Sequence, residues 1–215
     1  MPLPDLPPPA IDTPLLLAPG DMIQKGWNFI KPQLVVVDII IIIVAAAVSF
    51  ALHHIPLAGA ALAFVWQIVI CSGLYYYLWR AGRGEPASFG DMLVPLQDKA
   101  GGVIVVSLLS GLAVILGLVL LIVPGLYVGI ALSLSLPLVV LTTVSATDAI
   151  SLSWKIVNHH LVDFIVLGLL VLAMNLGGAL LLGLGLFVTV PVTLGIQLVI
   201  LTQLLQPATT ASQPR

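Results

Sequence analysis

The sequence carries very little charge for its length. Of its 215 residues, 60% are hydrophobic and only 7% are Asp, Glu, Lys or Arg, whereas a soluble domain carries about 25% charged residues. So few charges cannot cover a surface that faces water, which excludes an ordinary soluble domain. The chain is better divided into membrane spans of roughly 20 apolar residues each.

Other absences narrow the range of functions. Cys71 is the only cysteine, which excludes an intramolecular disulfide and a site built from several cysteines. The Lys and Arg residues form no stripe along one element, so nucleic acid is not expected as a partner. The serines lie in apolar stretches without a histidine and an acid at a spacing that suggests nucleophilic catalysis. The histidines form two adjacent pairs, His53 with His54 and His159 with His160, which the topology below places on opposite membrane faces. We therefore expect no enzymatic activity, no cofactor and no metal site.

The apolar residues form six stretches, each long enough to cross a membrane as a helix. At 1.5 Å per residue each stretch covers about 28 to 33 Å, close to the hydrocarbon thickness of about 30 Å. Runs such as VVVDIIIIIV have no period of two, which argues against a β-barrel. The sequence therefore predicts an all-α polytopic protein with six transmembrane helices in three hairpins. The predicted spans are residues 34–52, 57–78, 103–123, 126–144, 161–182 and 186–205.

Turn residues and charges define the ends of these spans. The third and fourth spans are separated only by Pro124 and Gly125, and the fifth and sixth meet around Gly183 and Gly185, so reversals are predicted there. With six spans, all seven Lys and Arg residues fall on one side of the membrane. Cytoplasmic loops collect these residues, so both termini are expected in the cytoplasm. The residues are Lys25, Lys31, Arg80, Arg83, Lys99, Lys155 and Arg215.

The two ends of the chain differ from this apolar core. Residues 1–19 contain seven prolines, so they are predicted to form an extended or disordered tail. A docking motif for a proline-binding module is the alternative reading. Residues 20–206 form the six-helix domain, and residues 207–215 form a short C-terminal tail.

A short segment that begins with an aspartate precedes each hairpin: Asp21, Asp91 and Asp148. In the first and third copies, Trp27 and Trp154 follow the aspartate by six residues on an apolar helical face. These copies are predicted to be amphipathic helices at the cytoplasmic membrane surface. A proline four residues after Asp91 should keep the middle helix short. The aspartates are interpreted as helix caps, with a cation-binding ring of the three carboxylates as the alternative.

Three segments carry a resemblance to a known family. They are GLYYYLWRAGRGEPASFGDML after the second span, LGLVLLIVPGLYVGIALSLSLPLVVL across the third and fourth, and LGLGLFVTVPVTLGIQL near the end. With these segments the chain resembles an uncharacterised family of bacterial six-helix membrane proteins related to the membrane domain of glycerophosphoryl diester phosphodiesterases. The resemblance implies the six-helix fold and a bacterial cytoplasmic (inner) membrane. It implies no catalytic residues.

Polar residues inside the predicted spans are the candidate functional positions. Asp38 and Asp163 lie near span ends, where a structural role is favoured over a proton or cation pathway. Gln67, Asn175 and Gln197 lie deeper and are neutral, so helix-to-helix hydrogen bonding is their expected use. Because Asn175 and Gln197 fall at similar depths in the last hairpin, they are predicted to bond to each other, with a solute site lined by both residues as the alternative.

Two functions remain open at this level. The first is a non-enzymatic scaffold, accessory subunit or lipid-associated organiser, whose partners are the lipid bilayer and other membrane proteins or further copies of the chain. A small-residue stripe at Gly125, Gly129 and Ser133 favours tight packing and so supports this reading. The alternative is a small transporter or channel for a solute or lipid, suggested by repeated hairpins and by prolines within spans, Pro137 and Pro191.

Overall fold

The computed structural model describes residues 6–9, 15, 18–30, 47–48, 50–51, 54, 59–180 and 185–205. Regular structure in this part of the chain is helical, apart from an isolated parallel bridge between Leu6 and Thr142. The helices are α1 (Pro19–Ile30), α2 (Gly59–Gly82), α3 (Val94–Leu120), α4 (Ile122–Ala131), α5 (Ser135–Leu141), α6 (Ala146–His159), α7 (Leu161–Leu180) and α8 (Leu186–Leu205), with a 3-10 turn at Phe89–Leu93 before α3.

Five segments of the described chain are long and apolar enough to cross a membrane. They confirm the prediction of an all-α polytopic membrane protein. The first predicted span, 34–52, lies outside the described residues except for 47–48 and 50–51, and Asp38 lies outside them too. The five segments are Leu62–Gly82, Phe89–Leu120, Ile122–Leu141, Leu161–Leu180 and Leu186–Leu205.

The chain reverses between α3 and α4 at Leu121, three residues before the predicted turn. Leu121 is extended, with φ −162° and ψ 147°, and Pro124 already belongs to the first turn of α4. Proline is tolerated there because the first N–H groups of a helix have no intrahelical partner. Gly125 packs against α3, since a methyl group at Gly117 would lie 2.8 Å from the Gly125 Cα. The predicted turn glycine is therefore a packing residue.

The fourth span is two helices rather than one. α4 ends at Ala131 and α5 begins at Ser135, with a turn between them. Pro137 in the first turn of α5 explains the break, because it has no N–H to bond the Ser133 carbonyl and its ring would clash with that carbonyl. The break leaves backbone groups of Ala131 and Leu134 without helical partners.

The apolar side of α1 packs on protein. A methyl group at Gly26 would come within 2.7 Å of Ile196 Cγ1, and one at Gly195 within 2.8 Å of the Gly26 carbonyl oxygen. Met22 and Ile30 are fully buried. The helix forms where the sequence predicts it, and its apolar face packs on α8, whereas its place at the membrane surface stays a prediction.

The middle copy of the repeat is short, as predicted, although the proline acts differently. The segment Phe89–Leu93 is a 3-10 turn, and Pro95 lies in the first turn of α3. The proline therefore starts the transmembrane helix. Lys99 then bends α3, with φ −134° and ψ 32°, and its Nζ donates to the Thr142 carbonyl at 2.6 Å, which satisfies the carbonyl at the end of α5.

The N-terminal tail touches the same end of α5. The backbone N–H of Thr143 donates to the Leu6 carbonyl at 3.0 Å, and Pro9 is buried. This attachment was not predicted from the proline content of the tail.

Candidate functional site

A cleft separates the α3–α4 hairpin from the α7–α8 hairpin. Its volume is about 340 Å³, which lies within the range of small-molecule pockets. Its walls are mostly apolar, with four polar side chains among them: Ser133, Asn175, Thr193 and Gln197. Among the described residues that line it, none is ionisable. The cleft can therefore form hydrogen bonds but offers no group that would carry a proton.

Glycines on α4 and α7 determine where this space opens. Gly129 leaves room, because a methyl group there would meet only Val114, at 3.9 Å. At Gly168 a methyl group would lie 2.8 Å from Ile130 Cδ1, so this glycine holds the hairpins together at one end of the cleft. The stripe of Gly125, Gly129 and Ser133 was predicted to favour tight packing. All three residues line the cleft, but the interpretation holds at Gly125, where an added methyl group would lie 2.5 Å from Leu118, and is wrong at Gly129, where the nearest atom is 3.9 Å away.

The rim of the cleft is apolar and exposed. Leu118 and Leu172, which line the cleft from α3 and α7, are 47% and 39% exposed. Leu169 and Leu176 on the outer side of α7 are exposed as well. In a bilayer, side chains of this kind face hydrocarbon, so the cleft opens towards lipid.

Asn175 links the two helices of the last hairpin. Its Nδ2 donates to the Val171 carbonyl at 2.9 Å and to Thr193 Oγ1 at 3.0 Å. Thr193 Oγ1 in turn donates to the Thr189 carbonyl at 2.8 Å. The other amide atom, Asn175 Oδ1, is buried and has no hydrogen-bond partner within the described chain.

Gln197 bonds to a different helix. Its Oε1 accepts a hydrogen bond from the hydroxyl of Tyr75, on α2. The predicted bond between Asn175 and Gln197 is therefore wrong, although both residues line one cleft. Thr193 takes the place of Gln197 as the partner of Asn175. The spacing could have shown it, because Thr193 and Gln197 are four residues apart and share a helix face.

Ser153 on α6 completes the broken fourth span. Its Oγ donates to the Ala131 carbonyl at 2.8 Å and accepts from the Leu134 N–H at 3.2 Å. These are the backbone groups that the break leaves unpaired. Backbone groups within a membrane must find partners inside the protein, and one fully buried serine supplies both.

The remaining predicted positions do not line the cleft. Gln67 is exposed and its Nε2 contacts Cys71 Sγ at 3.0 Å, within α2. Asp163 is exposed in the first turn of α7. Asp38 lies outside the described residues. Of the five candidate positions, the structure therefore brings Asn175 and Gln197 together.

Two repeat aspartates lie in the first turn of a helical segment and bond to the serine that precedes the segment. Asp91 Oδ2 accepts from the Ser88 N–H at 2.7 Å, and Asp91 Oδ1 pairs with Arg80 Nη1 at 2.7 Å. The Asp148 N–H donates to Ser145 Oγ at 3.2 Å, and the Ser145 hydroxyl donates to Asp148 Oδ2 at 2.6 Å. The prediction that the carboxylate caps the helix is confirmed at Asp91, whereas at Asp148 the capping residue is Ser145, and the carboxylate accepts from the serine hydroxyl. In the part of the chain that is described, no three His, Cys, Asp or Glu side chains gather where they could hold a metal ion.

Comparisons with protein-family models, curated proteins and solved structures give no match. The resemblance to the membrane domain of the phosphodiesterases therefore stays a prediction from the three sequence segments.

Proposed function

We propose that this protein is a non-enzymatic, lipid-associated component of the bacterial cytoplasmic membrane, which holds a lipid chain between its α3–α4 and α7–α8 hairpins. Both termini are placed in the cytoplasm in this proposal. The observation that carries it is the apolar cleft of about 340 Å³ with an exposed apolar rim. Because dispersion contacts are lost around an empty space, a lipid chain that enters the cleft restores contacts to both hairpins.

The lining favours lipid over a water-soluble substrate. Its four polar side chains are neutral and are surrounded by Leu, Ile, Val, Phe and Gly, which give poor solvation to an ion or sugar. The distribution of Lys and Arg supports the orientation, since cytoplasmic loops are enriched in these residues. Membrane partners, including further copies of the chain, are compatible with this role.

Filling the cleft tests the proposal. The variant Gly129→Phe places a ring in the cleft without a clash at Cβ, because the nearest atom is 3.9 Å away. Gly177→Phe is the matched control, since Gly177 lies on α7 with nothing within 4 Å and does not line the cleft. Full-length protein in nanodiscs is released into a mass spectrometer and the lipid retained per chain is measured.

We expect Gly129→Phe to retain at least about threefold less lipid than wild type, which corresponds to about 0.6 kcal/mol. Gly177→Phe should retain the wild-type amount. Equal retention by both variants would contradict lipid binding in the cleft.

One observation favours a transporter for a solute or lipid as the second candidate. The break between α4 and α5 adjoins the cleft, since Ser133 belongs to both, and discontinuous helices form the substrate sites of many transporters. Proteoliposomes that contain the full chain would separate the two functions. Protein-dependent movement of fluorescent lipid between leaflets, lost in Gly129→Phe and kept in Gly177→Phe, would favour transport.

A further inference from the structure

Residues 6–9 of the N-terminal tail contact the helical bundle with a period of three. Leu6 is partly buried and packs against the core, Pro7 and Pro8 are exposed, and Pro9 is buried. A polyproline II helix has three residues per turn, so residues three apart lie on one face. The pattern indicates that residues 6–9, which we name the strap, dock on the protein through one face of such a helix.

The chain that follows α5 supplies an extended backbone partner for the strap. Thr142 has φ −123° and ψ 172° and forms a parallel bridge with Leu6. The N–H of Thr143 donates to the Leu6 carbonyl at 3.0 Å. Leu6 precedes a proline, which favours the extended conformation that this pairing needs. The strap is therefore held by a backbone hydrogen bond and by two side chains on one face, as extended peptides are held by the proteins that bind them.

The docked strap can leave without exposing an unpaired buried group. Thr143 is exposed, so water bonds its N–H when the strap is absent. The carbonyl of Thr142 has its own partner, because Lys99 Nζ donates to it at 2.6 Å. The prolines fix φ in the free tail as well, so docking costs little backbone entropy. A contact of this kind is readily exchanged for an equivalent contact with another peptide.

We propose that residues 142–143 form a binding site for extended proline-rich peptides with Leu and Pro three residues apart, and that the strap is its ligand in cis. A competing peptide of this class displaces the strap from the bundle. The site is independent of the lipid-binding function, because neither the strap nor residues 142–143 line the cleft. Lys99 belongs to the face predicted to be cytoplasmic, where the N-terminal tail is also expected.

A nitroxide label on the strap tests the proposal in the full-length chain. Pro8→Cys in a Cys71→Ala background carries the label, because Pro8 is exposed, and the electron paramagnetic resonance spectrum gives the immobile fraction. Thr143→Pro removes the N–H that bonds Leu6 and suits the extended Thr142 before it. Thr143→Ala is the matched control, because it keeps this N–H. The competitor is the synthetic peptide PLPDLPPPA, which corresponds to residues 2–10, and its control PLPDAPPAA lacks both contact side chains.

Most of the label should be immobile in the labelled parent chain and in Thr143→Ala. Loss of the hydrogen bond in Thr143→Pro should lower the immobile fraction at least about twofold. A tethered ligand acts at an effective concentration on the order of 1 mM, so PLPDLPPPA at about 10 mM should also lower the fraction at least about twofold. PLPDAPPAA should leave it unchanged.

A mobile label in the parent chain, or equal mobility in Thr143→Pro and Thr143→Ala, overturns docking at this N–H. An equal effect of the two peptides, or no effect of either, overturns the peptide site. The peptide comparison uses the labelled parent chain alone, so it decides the proposal even if Thr143→Pro does not fold.

Discussion

At the scale of single residues, polar side chains in this protein have two kinds of partner. Asp91 and Asp148 bond to Ser88 and Ser145, three residues earlier in the chain. Such local bonds follow from sequence spacing, so the caps could be predicted. Ser153 instead serves backbone groups about 20 residues away. Its role depends on where α4 breaks, and no local pattern gives that contact.

The first prediction concerns the Ser153 bridge, the pair of hydrogen bonds that Ser153 makes to Ala131 and Leu134. Ser153→Ala removes both bonds and leaves the Ala131 carbonyl and the Leu134 N–H unpaired in a buried region. Each such loss costs about 1 to 3 kcal/mol on typical scales, so the two losses together should lower the free energy of unfolding by about 2 to 6 kcal/mol. Unfolding of the full chain in mixed dodecyl sulfate micelles measures this change.

Ser151→Ala is the control, because Ser151 is exposed on the same helix. It should change stability by less than about 0.5 kcal/mol. If the two variants are equally stable, the bridge does not hold the broken span together.

At the scale of helices, the lengths of the apolar stretches predicted the described spans and their order. These lengths do not predict which helices contact each other. Gly26 and Gly195 are separated by most of the chain, yet α1 and α8 are in contact at these two glycines. A glycine in an apolar stretch is equally compatible with a turn, a packing site or an open cleft. Gly125 and Gly195 are packing sites and Gly129 lies in the open cleft, and only tertiary structure separates these roles.

The second prediction concerns the α1–α8 contact. Gly195→Ala places a methyl group 2.8 Å from the Gly26 carbonyl oxygen, which is backbone and cannot move without shifting α1. Overpacking of this kind costs typically about 1 to 3 kcal/mol, so we expect a loss of stability in that range. Displacement of α1 should also change the fluorescence of Trp27, which is 37% exposed.

Gly111→Ala supplies the comparison, since Gly111 lies in α3 with nothing within 4 Å of an added methyl group. Alanine favours helix there by up to about 1 kcal/mol, so this variant should be as stable as wild type or more stable. Equal effects at the two glycines would show that α1 moves freely on α8.

At the scale of the whole molecule, the described helices form a bundle in which the α3–α4 and α7–α8 hairpins enclose an apolar cleft. The sequence predicted the polar residues Asn175 and Gln197 but not the space between the hairpins. Cleft volume depends on how far apart two pairs of helices are held, and here that distance is set by contacts such as Gly168 with Ile130. Orientation in the membrane is the property of the whole chain that charge alone predicts, because it depends on the placement of Lys and Arg.

The last prediction tests that orientation with two cysteines. In a Cys71→Ala background, which removes the only native thiol, His54→Cys and Lys155→Cys are made separately. Both native side chains are exposed, and His54 follows the first predicted span while Lys155 lies between the fourth and the fifth. With both termini in the cytoplasm, three spans separate these positions, so they should face opposite sides.

A membrane-impermeant maleimide should label His54→Cys in bacterial spheroplasts and Lys155→Cys only in inverted vesicles. The same labelling pattern at both positions would rule out the odd number of crossings between them and with it the six-span topology. The exposed thiols report on the fold directly, because neither position lines the cleft or belongs to the packed interface of α1 with α8.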